Sequence, residues 1–131
     1  MFSCKILNLP KINDDRGNLT FLQTPSVIPF EIKRVFWLYD VPGGQSRGGH
    51  AYEKQHEIII ALSGSFDVLV YNQQGEKISF SLNRSYFGLY LPPSNWREMN
   101  NFSTNAVSLH LSNTEFDDND YIRDFQKFLQ K

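Results

Sequence analysis

Short apolar runs closed by turn residues recur along this chain roughly every ten residues, and that rhythm favours an all-β sandwich or barrel. Residues 66–71 (Phe-Asp-Val-Leu-Val-Tyr) form a strand of β-branched and aromatic character. Residues 72–75 (Asn-Gln-Gln-Gly) turn the chain, and 77–82 return from the hairpin. Further strands are expected at 2–9, stopped by Pro10, and at 19–22, 32–39, 86–91, 96–99 and 106–111. By composition 13–18 is a turn, 26–30 an extended connector ahead of and through Pro29, and 41–46 a loop. Only the tail differs. After the acidic helix-start region 117–120, Tyr121, Ile122, Phe125, Phe128 and Leu129 recur at helical spacing and predict a short amphipathic helix laid on the β body. The chain has no internal repeat, and 131 residues suit a single domain spanning 1–131.

Charge narrows the function classes. With 13 basic and 14 acidic residues, the net charge of −1 gives no general attraction to nucleic acid or to an anionic membrane. Any anion site must be a local cluster of arginines. The single cysteine, Cys4, excludes an internal disulfide framework and fits a reducing compartment. No apolar run approaches a membrane span, and the N-terminus lacks a basic flank followed by an apolar core. A soluble, cytoplasmic protein is expected.

Chemistry-bearing residues concentrate in 47–57 (Arg-Gly-Gly-His-Ala-Tyr-Glu-Lys-Gln-His-Glu), directly ahead of the apolar run 58–62. In an extended chain alternate side chains share a face. His50, Tyr52, Lys54 and His56 then point one way, and Ala51, Glu53, Gln55 and Glu57 the other, unless a bulge intervenes. An imidazole and a phenol two residues apart can thus face one cavity; the plainer alternative is a polar edge strand in water. His56 and Glu57 read as a rim pair, and His110, between Leu109 and Leu111, as a structural histidine in an apolar strand.

The spacing Gly44, His50, Tyr52, Glu57, Gly64 is similar to the first cupin motif, with Tyr52 where that motif has a second histidine. Residues 88–97 resemble a degraded second motif, with Arg97 near its histidine. Over nearly the whole chain, the fuller resemblance is to the sugar-nucleotide 3,4-ketoisomerases. It rests on Asp15-Arg16-Gly17, Ile32-Lys33-Arg34-Val35, Arg47-Gly48-Gly49-His50-Ala51, Gly88-Leu89-Tyr90, Trp96 with Glu98-Met99, and Asp120-Tyr121-Ile122-Arg123. The resemblance implies a cupin-type double-sheet jelly roll with the site inside the barrel. It also implies action on dTDP-4-keto-6-deoxy-D-glucose, in deoxyamino-sugar supply for surface glycans, by a homodimer whose subunits exchange edge strands. The chain departs from the family at Tyr52, usually histidine, and at Phe36 and Trp37, where many members carry tyrosines. The positions of Arg16 and Arg97 are linked in the family to which C4 epimer is made, and their combination here assigns neither.

Moving a carbonyl from C4 to C3 requires a proton taken from C3 and one delivered to C4. The resemblance makes His50 the base, since imidazole titrates near neutrality. Tyr52 becomes a proton donor, a relay or a hydroxyl-holding residue. Arg97 or Arg16 is the partner of the enediolate. Guanidinium forks suit a diphosphate, with Arg34 and Arg47 first and Arg16 and Lys33 next; the alternatives are a surface role for Arg34 and Arg97 and closure of the preceding loop for Arg47. Of four cupin ligand positions the chain keeps only His50 and Glu57, too few for Zn or Fe, so no metal or other cofactor is expected. Two further readings remain open: an epimerase of a related keto sugar, and a non-catalytic nucleotide-sugar-binding cupin.

Overall fold

A computed structural model describes residues 2–131. Its strands in chain order are β1 (Lys5–Asn8), β2 (Lys11–Asp14), β3 (Gly17–Thr20), β4 (Arg34–Leu38), β5 (Arg47–Tyr52), β6 (Glu57–Ser63), β7 (Phe66–Tyr71), β8 (Lys77–Leu82), β9 (Phe87–Leu91), β10 (Trp96–Asn100), β11 (Val107–Ser112) and β12 (Tyr121–Ile122). A single 3-10 turn, Asp118–Asp120, precedes β12, and one α-helix among the described residues, α1 (Phe125–Leu129), follows it. Two five-stranded antiparallel sheets face each other, in the orders β1-β9-β6-β11-β4 and β12-β5-β10-β7-β8. This is the all-β sandwich that the strand rhythm favours, in the double-sheet jelly-roll form that the resemblance implies. β2 and β3 form a separate hairpin.

β6 explains the layering. Its run Glu-Ile-Ile-Ile-Ala is buried on both faces because β6 lies inside its sheet, between β9 and β11. Ile59 and Ala61 point between the sheets, where they meet Phe66, Val68, Val70, Leu89, Leu91 and Met99. Ile58 and Ile60 point outward and are covered by Ile28 and Phe30 of the irregular segment after β3. Burying an isoleucine side chain in this way contributes roughly 1.5–3 kcal/mol. By the same period of two, Glu57 shares the inward face with Ile59 and Ala61. The apolar core fills one end of the barrel and leaves the other end to polar and aromatic residues.

Two expected elements come out differently. The turn expected at 13–18 tightens to Asp15-Arg16, because Ile12 pairs with Leu19 across a longer hairpin and the Asp14 carboxylate accepts the Arg16 backbone N–H at 2.8 Å. The helix expected from Tyr121 begins at Phe125. Tyr121 and Ile122 instead add a short strand to the open edge of β5, pairing with Tyr52 and Ala51. Asp124 then caps α1 by accepting the Lys127 N–H at 3.1 Å. Phe128 carries the helix onto Trp96, Ala51 and Ile122.

Candidate active site

The open end of the barrel is a cavity of about 540 Å³, lined from one sheet by Arg47, His50, Tyr52, Arg97, Met99, Tyr121 and Arg123. The facing sheet contributes Phe36, Leu38, Glu57 and His110. That volume is typical of a small-molecule site.

Strand alternation places His50 and Tyr52 on one face of β5, their rings 4.9 Å apart edge to face. The continuation of that face through Lys54 and His56 does not hold, because the strand ends at Tyr52. The Asp120 carboxylate accepts the backbone N–H groups of Lys54 and Gln55 at 2.8 and 3.1 Å and pins the corner there. The chain re-enters as β6 in the opposite sheet, so Glu57 points inward while His56 lies outside the cavity, bonded through Nδ1 to the Tyr90 hydroxyl at 2.8 Å. They are therefore not a rim pair: Glu57 is 1% exposed on the cavity floor.

Arg97 lies across from His50 in the β5–β10 register. Gly48, at φ +87°, allows that approach, since a Cβ there would stand 2.9 Å from the Arg97 carbonyl oxygen. The Arg97 guanidinium is 1% exposed, so it is no surface residue. It donates to Glu57 Oε1 at 2.8 Å and, through Nε and Nη2, to the Asn95 carbonyl at 3.2 and 3.0 Å. His110 faces inward as well, 3.3 Å from Glu57 Oε1 through Nδ1 and 2.6 Å from Ser108 Oγ through Nε2. Phe36 stacks on its ring at 4.5 Å. Burial alone would raise the Glu57 carboxyl, but His110, Arg97 and His50 overcome it and hold its pKa at about 2. The floor of the site is thus a fixed, internally neutralised network.

Desolvation, with the Arg97 charge second, lowers the His50 pKa from 6.5 to about 4, against the smaller opposing effects of Glu57 and a backbone hydrogen bond to Gly48. His50 is therefore neutral at pH 7, in the form that accepts a proton. Tyr52 is driven the other way, chiefly by burial and then by Glu57, so its phenol stays protonated. Its hydroxyl donates to the Tyr121 hydroxyl at 3.2 Å. Arg123 lies 4.1 Å over the Tyr121 ring.

Among the other cations expected at the site, Arg47 lines the cavity. Arg34 faces inward from β4 but sits behind the lining, donating to Gln55 Oε1 at 3.0 Å between the rings of Phe36 and Phe116. Lys33 is exposed outside the cavity, and Arg16 sits at the hairpin tip, paired with Asp14 at 2.8 Å. Sequence reasoning missed Tyr121 and Arg123 as cavity residues because the tail read as a helix. It missed the inward turn of Glu57 because the corner at 53–56 carries no Gly or Pro to announce it, and the cavity position of His110 because its neighbours Leu109 and Leu111 are apolar.

A barrel of two antiparallel sheets, with an imidazole, two phenols and arginines converging on one open end, has the architecture of a cupin and holds groups able to move protons. Comparison with known proteins makes this particular. Residues 2–131 match the family described as "FdtA: WxcM-like, C-terminal". A TDP-4-oxo-6-deoxy-α-D-glucose-3,4-oxoisomerase from Aneurinibacillus thermoaerophilus is 37% identical over 125 residues, 95% of this chain and 88% of that protein. Two solved structures from Campylobacter jejuni are similar throughout. The TDP-quinovose 3,4-ketoisomerase WlaRB is 39% identical, with TM-score 0.94 and all of both chains covered. The TDP-fucose-3,4-ketoisomerase WlaRA is 36% identical, with TM-score 0.92, covering 98% of this chain and 95% of that one. The chain belongs to this family of sugar-nucleotide 3,4-ketoisomerases.

Proposed function

We propose that this chain moves the keto group of a dTDP-linked 4-keto-6-deoxyhexose from C4 to C3 by acid–base enolisation without a metal. The observation that carries the reading is His50: a neutral imidazole facing the cavity, beside a hydrogen-bonded pair of phenols. The adjacent ketone acidifies the C3 proton, and His50 takes it. Charge on the enediolate oxygen meets the Arg97 guanidinium, fixed in place by Glu57 and Asn95. Arg47 and Arg123 at the cavity suit the diphosphate, with Arg34 behind them. The donor set argues against metal: the Glu57 carboxylate is engaged by Arg97 and His110, and the buried guanidinium repels a cation.

The working form in this reading is a cytoplasmic homodimer. β4 is an edge strand whose outward residues Val35 and Trp37 remain 45% and 56% exposed, an apolar surface suited to a partner. The β2–β3 hairpin pairs with no other strand among the described residues and leaves Ile12 and Leu19 exposed. An arm of this kind, exchanged between subunits, would carry Arg16 toward a second copy. Sedimentation equilibrium should give twice the monomer mass; a monomer would remove Arg16 from any role at a site.

Proton NMR of dTDP-4-keto-6-deoxy-D-glucose with the protein in D₂O tests the activity. The C3 proton signal should vanish as a 3-keto product appears. Exchange at C3 with no new ketone would make the chain an epimerase. Tight dTDP binding without exchange would make it a binding protein.

A further inference from the structure

The two walls of the cavity are chemically unequal. On the wall from the β1-β9-β6-β11-β4 sheet, no side chain is free to carry a proton to the sugar. Phe36 and Leu38 have no exchangeable proton, and Glu57 is held as an anion by Arg97 and His110. Both His110 ring nitrogens are engaged, one by Ser108 and one by Glu57, its face is covered by Phe36, and the residue is 4% exposed. On the other wall, three proton-carrying rings touch one another. Their centroids lie 4.9 Å apart for His50 and Tyr52, 5.0 Å for His50 and Tyr121, and 4.7 Å for Tyr52 and Tyr121. Rings already in contact leave no gap for a pyranose to enter between them. His50 and Tyr121 therefore address the sugar from one side, with Tyr52 buried behind them.

We propose that the proton leaving C3 and the proton arriving at C4 cross the same face of the sugar, so that the product carries an axial C4 hydroxyl, the configuration of fucose. This rests on the ketoisomerase reading above. The His50 imidazole takes the C3 proton, the C3–H pair becomes the C3=C4 bond, and O4 takes a proton from the Tyr121 hydroxyl. The O3 proton then returns to the Tyr121 oxygen as C3=O forms, and the C3=C4 pair takes the imidazolium proton at C4. C3 is oxidised, C4 is reduced, and no other reactant is consumed. In a D-gluco substrate the C3 proton is axial on the lower face; a proton placed at C4 on that face leaves O4 above the ring and axial. The quinovose and fucose enzymes of Campylobacter jejuni are 39% and 36% identical to this chain, so overall similarity does not choose between the epimers.

Tyr121 follows as a catalytic residue in this scheme. Tyr52 is 1% exposed and spends its hydrogen on Tyr121, which leaves the Tyr121 hydroxyl with a proton to give to the sugar. After transfer, its oxygen is met by the Tyr52 O–H, with Arg123 over the ring.

The deciding experiment follows TDP-4-keto-6-deoxyglucose with the full chain in H₂O by proton NMR at early conversion. A 3-keto product with a small H4–H5 coupling is expected. A large, trans-diaxial coupling overturns the proposal, because it requires a proton from the facing wall. Unchanged substrate overturns the ketoisomerase reading itself, and is distinguished by the absence of any new ketone. Tyr121→Phe should lower kcat at least about 10²-fold, leave TDP affinity essentially unchanged and keep the same C4 configuration in residual product. Wild-type kcat in that variant would remove Tyr121 from the oxygen transfers.

Discussion

His50→Asn should lower kcat by about 10² to 10⁴-fold, the usual range for loss of a positioned general base, while dTDP binds as before. The amide fills much of the space of the imidazole and can still hydrogen-bond, but it cannot take a proton from carbon. Turnover and affinity are thus separated in one variant: calorimetry with dTDP reports the pocket, and the NMR assay reports the chemistry. A variant that keeps wild-type turnover would give the base role to another group. The pH profile supplies an independent reading. The free-enzyme pKa of His50 is about 4, lowered chiefly by burial and then by Arg97, so kcat/KM should stay level from pH 7 toward 5. It should fall only as protonation removes the base below that. Bound diphosphate brings negative charge, which favours the imidazolium. The acid limb of kcat should therefore lie above that of kcat/KM. A limb near 6.5 in kcat/KM would mean that the base titrates as a solvated imidazole, against the burial that lowers His50 here.

How far this site could be read from the sequence depends on what fixes each residue. The His50–Tyr52 pair was legible, because period two within a strand is local geometry. The barrel was legible for the same reason, its strands being punctuated by Pro10, Gly64, Gly75 and Pro92. The inward turn of Glu57 was not. It depends on a corner held from 65 residues away in sequence, by the Asp120 carboxylate on the Gln55 N–H. Tyr121 was hidden by an ambiguity of pattern. Tyr121, Ile122, Phe125 and Phe128 satisfy a helical stripe, but the first two residues gain more by completing the edge of β5, an option visible only once β5 is known to be an edge. His110 looked structural because its neighbours Leu109 and Leu111 are apolar. Those leucines belong to the other face of β11, and the inward row Ser108-His110-Ser112 is polar.

Glu57→Gln should destabilise the fold by about 3–5 kcal/mol, the cost of leaving a buried charge without its partner. The substitution preserves volume, so neither a cavity nor a clash intervenes. What it removes is the carboxylate that meets Arg97 Nη1 at 2.8 Å, where both side chains are about 2% exposed. Against a total stability of roughly 5–15 kcal/mol, this should appear as a fall in Tm on the order of 10 °C or more. Arg97→Met in the same background should restore part of the loss, because no unpaired guanidinium is then buried. The pair would be less than additive in a double-mutant cycle. Additive losses would mean that each side chain stabilises through other partners. The same physics sets the acid limit of the wild-type fold. Glu57 titrates at about 2 in the fold against 4.5 in the open chain, so its contribution is complete above pH 4.5 and is lost as pH falls toward 2. His50 titrates at about 4 against 6.5, so the open chain binds its proton first and stability declines between pH 6.5 and 4. Each displacement corresponds to about 3 kcal/mol. Urea midpoints should therefore begin to fall below pH 6.5, and Glu57→Gln should flatten the steeper part of that decline below 4.5.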